Sequence, residues 1–320
     1  MTQAYITRLS TGEEVEISKL TAEDLRRIHF EEERWVASKL LTLKRFSQER
    51  YNLLYSGLDL VSSIMFEIAR KQGVKIESFG ASKKTSALCI RLVKEKQKED
   101  NILFYEIGVG TGYSVAHVIN ECADLGLYEE SFGRLSIKGC DIFLLPSIRI
   151  LVDEHPNVDM NIEEGHVVDC LQKLPDKSVD VLYADNVFEH FLPDEVEQIY
   201  SLIARKLKSD AYVFLIIPNK YVGPSDVSKY FLPFGSKAQG FHFMEMSFNE
   251  VTEAMKKHGV HQSHCVFKIP LLGAYFIKSK VLIKLKLKIE HVLAKIPWCT
   301  FRKRVFSLCG YSYSILKASK

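Results

Sequence analysis

The chain has 320 residues, a formal net charge of +3, and 47% hydrophobic and 26% charged residues, the balance of an ordinary soluble globular protein large enough for one domain with additions. So small a positive excess excludes a global pull towards nucleic acid, and no apolar run approaches the roughly 18 residues that span a bilayer. Seven cysteines without a C-x-x-C pair imply neither a zinc site nor a disulfide framework, so no metal is expected and a reducing, cytoplasmic setting is. No signal peptide is visible in the polar, acid-rich start.

Residues 1–100 are expected to form a helical region. A helix over Leu20–Arg45 opens on Thr21 and Asp24, a capping pair. A second over Ser47–Arg70 carries Tyr51, Leu54, Leu58, Val61 and Met65 down one side, and a third spans Ser86–Lys98. From residue 101 strands and helices alternate, which implies a doubly wound, mostly parallel α/β sheet. Strands are expected near 103–107, 136–141, 158–163, 179–184, 211–217 and 261–269, with a seventh over Tyr311–Lys317. The stretch Glu121–Arg134 reads as a helix extension or a loop insertion, and 270–308 as an inserted basic helical element.

The first strand runs into LFYEIGVGTGYSVAH, Leu103–His117, with Gly108, Gly110 and Gly112 at alternate positions and Glu106 two residues upstream. Glycine there lets a ligand approach the backbone closely. The spacing is G-x-G-x-G, not the G-x-G-x-x-G of a dinucleotide turn, and a carboxylate beside it would repel a pyrophosphate but suit an ammonium group. The second strand closes on Asp141, where an acid can accept hydrogen bonds from vicinal ribose hydroxyls, cap the next helix, or do both.

The E-x-G-x-G-x-G run resembles the first motif of class I S-adenosylmethionine-dependent methyltransferases. That resemblance implies a Rossmann-like seven-stranded sheet whose last strand, 309–320, pairs antiparallel at the sheet edge. It also implies S-adenosyl-L-methionine as cofactor, a core over 101–269, and a cap over 1–100 that covers the cofactor, shapes the substrate pocket, or serves packing or oligomerisation. Glu106, Gly108, Gly110, Gly112, Asp141 and Ile142 would hold the cofactor. Gly165–His190 resembles the stretch that carries the adenine contact, with His166 where an acid is usual, Val167 beside it, and Asp169 as the nearest acid. The adenine contact therefore falls to His166, Asp169 or backbone groups. Asp185 and Asn186 would line the rim near the methyl group.

The sequence Asp185-Asn186-Val187-Phe188 lacks the Pro-Pro-aromatic run of enzymes that methylate base amines. The loop 218–245 resembles bacterial small-molecule methyltransferases linked to polysaccharide or lipid-linked sugars. A hydroxyl of a small molecule or glycan is thus the expected acceptor, with His242, His190 and Glu189 as candidate base or acceptor contacts and Glu245 as the group that orients His242. His242 could alternatively cap the helix beginning near Ser247. Residues 270–320 hold eleven Lys or Arg against one acid, Glu290. Over Lys278–Val305, Lys280, Lys284 and Lys288 share a helical face beside Val281, Leu285 and Val292, a pattern open to an anionic membrane, RNA or solvent. The rivals are a non-catalytic protein of this fold docking on membrane or RNA through that region, and an NAD-dependent oxidoreductase.

Overall fold

A computed structural model describes residues 6–73, 83–96, 101–124, 134–269 and 273–319. Most of the stretch expected as an insertion before the second strand, 125–133, lies outside them. The chain divides into two units, one made of 1–77 with 223–245 and one of 78–222 with 246–320.

The larger unit is built on β3 (Asn101–Ile107), β4 (Arg134–Asp141), β5 (Asp159–Glu164), β6 (Val179–Asp185), β7 (Leu207–Ile216), β8 (Val260–Ile269), β9 (Gly273–Ile277) and β10 (Tyr313–Ala318). Their order is β5-β4-β3-β6-β7-β10-β8-β9. The first five run parallel, as strand–helix alternation requires; β10 is antiparallel to β7 and β8, and β9 to β8. The sheet has eight strands, not the seven expected, and its last strand is internal. Ile315 pairs with Phe214 on one side and His264 on the other, so its backbone is bonded in both directions and its side chain is fully buried. The edge is taken by β9, which folds back on β8 and lies within the stretch expected as an insertion.

Helices α3 (Lys83–Lys94), α4 (Tyr113–Asp124), α5 (Pro146–Glu154), α6 (Val167–Lys173), α7 (Pro193–Lys206) and α8 (Phe248–Lys256) flank the sheet. Leu88, Cys89, Leu92 and Val93 of α3 join Phe104, Val115, Ile137 and Phe214 in one apolar core, so α3 packs with the sheet. β6, buried along its whole length, reads as the continuous apolar run of a central parallel strand. The chain order reverses about β3, with β4 to one side and β6 to the other. This is the switch point where ligands of open α/β sheets bind, at the carboxyl ends of the strands.

The smaller unit holds the hairpin β1 (Ile6–Arg8) and β2 (Glu14–Glu16) and the helices α1 (Ala22–Thr42) and α2 (Gln48–Lys71). Thr21 and Asp24 form the expected reciprocal cap of α1, and Ser47 caps α2. The segment 223–245 belongs with these helices: the Glu33 carboxylate accepts the Phe241 N–H at 3.2 Å, Phe231 stacks on Phe30 with centroids 4.7 Å apart, and Phe241 packs with Val36, Leu40 and Val61. Gly57 makes room, since a Cβ there would stand 2.9 Å from Phe241 and Val36.

Candidate active site

The parallel registers put three carboxylates on one face of the sheet. Glu106 of β3 pairs with Gly139 of β4 and Tyr183 of β6. Two residues further along those neighbours stand Asp141 and Asp185, and alternate residues of a strand share a face. The acids therefore close the carboxyl ends of the three strands that meet at the switch point.

Their surroundings differ. Glu106 is 1% exposed; the Ser114 hydroxyl, one residue into α4, donates to its Oε1, while its buried Oε2 has no hydrogen-bond partner among the described residues. Burial pushes the Glu106 carboxyl well above its ordinary value, against the Ser114 bond, and the charges of Asp185 and Asp141 push it the same way. Asp141 is raised by burial, opposed by N–H groups of Gly110, Phe143 and Ile142. Its Oδ2 accepts the Gly110 N–H at 2.7 Å and its Oδ1 the Phe143 N–H at 3.4 Å. Asp141 does not cap α5, whose N-cap is Leu145; its carboxylate braces the glycine turn instead. Asp185, also raised by burial, accepts from the Tyr183 hydroxyl, from Asn186 Nδ2 (each 2.8 Å) and from Thr85.

The three glycines serve different ends. A Cβ on Gly108 would stand 2.3 Å from Val187 Cγ2, and one on Gly112 2.5 Å from Ile148 Cδ1, so both are packing glycines. Gly110, at φ +56°, has no described residue other than its chain neighbours within 4 Å of where its Cβ would be. It is the open position in the turn, beside Asp141.

His166 caps α6, its Nδ1 accepting the Val168 N–H at 3.1 Å, and sets its ring edge-on to Phe191. Val167 is buried in the first turn of α6, Ile142 is half-buried, and Asp169 is exposed. Asn186, exposed at φ +54°, turns the chain out of β6 into the single helical turn Phe188–His190, where Glu189 is buried and His190 half-buried. His242 lies in the smaller unit: its Nδ1 is 3.1 Å from Glu245 Oε1, which also accepts the Ser225 N–H at 2.6 Å. It does not cap α8, whose cap is Ser247, reciprocated by Glu250. Ser114 and Thr85, partners of the buried acids, went unnoticed in the sequence. The position of Ser114 at the start of a helix after a glycine turn was the one available signal.

A buried carboxylate with an oxygen unpartnered among the described residues, two further acids on the same face and an open glycine could cradle a ligand that carries positive charge and little bulk towards the turn. An ammonium group supplies the donors Glu106 lacks, and a ribose can use the acceptor positions Asp141 retains, because a carboxylate offers about four lone-pair sites. S-adenosylmethionine meets both requirements.

Residues 105–215 match the family model described as a methyltransferase domain. No curated protein matches the chain. Among solved structures the chain is similar to an S-adenosylmethionine-dependent methyltransferase from Archaeoglobus fulgidus (18% identity, TM-score 0.42, 73% of this chain and 93% of that one). It is also similar to 1,6-didemethyltoxoflavin-N1-methyltransferase from Burkholderia thailandensis (10% identity, TM-score 0.48, 87% and 93%).

Proposed function

We propose that this chain, in which residues 105–215 form a methyltransferase domain of the class I S-adenosylmethionine-dependent superfamily, methylates a hydroxyl of a small molecule or a glycan. S-adenosyl-L-methionine, its cofactor, supplies a methyl group already activated by a positively charged sulfur. The observation that carries the cofactor half is the convergence of Glu106, Asp141 and Asp185 on one face beside Gly110.

Glu106 takes the ammonium end, held in place by Ser114. Asp141 takes the ribose while bracing Gly110, and His166 and Val167 line the adenine side with the α6 N-terminus. Asp185 and Asn186 form the rim on the reacting side. The protein's further tasks are to align the acceptor and to exclude water.

A hydroxyl acceptor must lose a proton, and two imidazoles are candidates to take it. His190 stands just after the rim of β6. His242 is the stronger, because Glu245 on Nδ1 fixes its tautomer and leaves Nε2 as the basic nitrogen. Asp185-Asn186-Val187-Phe188, without the amine-type Pro-Pro run, favours oxygen over nitrogen. The test is an acceptor screen over sugars, glycans and phenols with His242→Gln and His190→Gln. Loss of a general base lowers kcat by about 10²–10⁴ while cofactor affinity stays unchanged. Full turnover by both variants, or methylation confined to amines, sinks the hydroxyl reading.

A further inference from the structure

The C-terminal helices α9 (Lys280–Ala294) and α10 (Cys299–Leu308) use one side for the core and leave the other without a partner among the described residues. On the inner side Ile283, Lys286 and Glu290 are buried. Lys286 Nζ lies 4.1 Å from the Phe248 ring centre and 5.0 Å from that of Tyr311, and donates to the Gly310 carbonyl at 2.8 Å. Glu290 accepts from Asn219 Nδ2 (2.9 Å) and from the N–H groups of Phe248 (2.8 Å) and Asn249 (2.9 Å). Rotating α9 would strand both buried charges, so its orientation is fixed. Arg302 ties α10 to the end of α9 through the carbonyls of Ala294 (2.5 Å) and Ile296 (3.3 Å).

The orientation so fixed turns a stripe of apolar residues outwards. Val281, Leu285 and Val292 are 74%, 49% and 65% exposed, and Trp298 and Phe301, in edge contact on α10, are 71% and 51% exposed. On helical spacing the three α9 residues lie within a narrow arc opposite Lys286 and Glu290, and Lys280, Lys284, Lys288 and Lys295 border that arc along one side, all exposed. The one acid of this region, Glu290, is 1% exposed and faces inward, so no carboxylate from 273–319 neutralises the outer face.

We propose that this face docks the protein on an anionic lipid bilayer. Apolar side chains bordered by lysines suit the boundary between acyl chains and headgroups, where the former leave water and the latter meet lipid phosphates. No described helix is long and apolar enough to cross the bilayer, so the contact is peripheral. A second copy pairing through the same face would set its lysines against their own kind. A nucleic acid would answer the charge but leave the five apolar side chains in water. Glu290 grips Asn219, three residues beyond Ile216, which pairs with Asp185. Docking therefore holds the carboxyl edge of the sheet one helix away from the lipid. An acceptor carried on a lipid would fit that arrangement, an extension that rests on the methyltransferase reading, whereas docking does not.

The test is co-sedimentation of the full chain with phosphatidylcholine vesicles, with and without phosphatidylglycerol. The protein pellets with the anionic vesicles only, and less as salt rises. Lys280→Gln/Lys284→Gln/Lys288→Gln weakens binding by roughly a hundredfold, about fivefold per cation. Leu285→Ser/Trp298→Ser, at exposed positions, also releases the protein while keeping its circular dichroism and cofactor affinity. Three outcomes overturn the proposal: no binding to anionic vesicles, binding indifferent to Leu285→Ser/Trp298→Ser, which marks a polyanion site, or a stable dimer in sedimentation velocity that the same double variant abolishes.

Discussion

Replacing Gly110 by alanine separates what the turn needs from what the ligand needs. At φ +56° an L side chain is strained, which costs about 1–2 kcal/mol. Among the described residues no atom beyond its chain neighbours lies within 4 Å of the new methyl group, so no clash is added to that cost. Gly112→Ala meets the same strain at φ +80° and also sets its Cβ 2.5 Å from Ile148 Cδ1, an overpacking that costs about a further 1–3 kcal/mol. In urea denaturation Gly112→Ala is therefore the less stable variant. In calorimetric titration with S-adenosylhomocysteine Gly110→Ala is the greater loss, because its methyl group occupies space the ligand uses. A reduction of at least tenfold, about 1.4 kcal/mol, is expected. Wild-type affinity in Gly110→Ala would refute the reasoning: the open side of Gly110 would not be where the cofactor lies.

Burial raises Glu106, Asp141 and Asp185. Folded apoprotein then keeps protons that the unfolded chain has lost, so their contribution to stability is full below the ordinary carboxyl range and is lost as pH rises through the raised values. A cationic ligand favours the charged carboxylates. Just above the ordinary carboxyl range its binding releases protons and weakens as pH falls, which titration in buffers of different ionisation enthalpy detects; no proton release contradicts the cradle. Burial holds Lys286 down to about 8 from 10.5. Between those values the unfolded chain keeps a proton the folded one has lost, so wild-type stability rises relative to Lys286→Met over that interval, and parallel pH profiles would show that the amine is not desolvated. Glu290→Gln removes the charge that three N–H donors share and is expected to destabilise by about 2–3 kcal/mol, seen as a lower thermal midpoint.

The parallel core was legible because its signals are local. β6 is a mostly apolar run buried throughout, Glu106 and Asp141 stand at or next to the ends of their strands, and Thr21–Asp24 and Ser47 announce helix starts within four residues. What escaped depends on partners distant in sequence. Thr85 reaches Asp185 only because α3 packs on the sheet, and no periodicity in 83–94 records that. Segment 223–245 leaves the core to pack on α1 and α2, a choice made by Phe231, Phe241 and Glu33 together. The last strand is internal because it inserts between β7 and β8, and the edge strand beyond them, GAYFI, is too short to stand out before it pairs with β8. Helical spacing identified the lysine face of α9, but only the aromatic ring pair of Phe248 and Tyr311 shows why Lys286 turns inward.

The most direct test of the central claim is calorimetric titration of the full chain with S-adenosylmethionine, S-adenosylhomocysteine and NAD, with Asp141→Ala as control. Asp141 holds the Gly110 N–H at 2.7 Å and is assigned the ribose. The first two ligands should bind at micromolar concentrations, the third should not, and the variant should lose both. Binding of NAD alone, or of none of the three, would contradict the assignment of Glu106, Asp141 and Gly110 as a methyl-donor site.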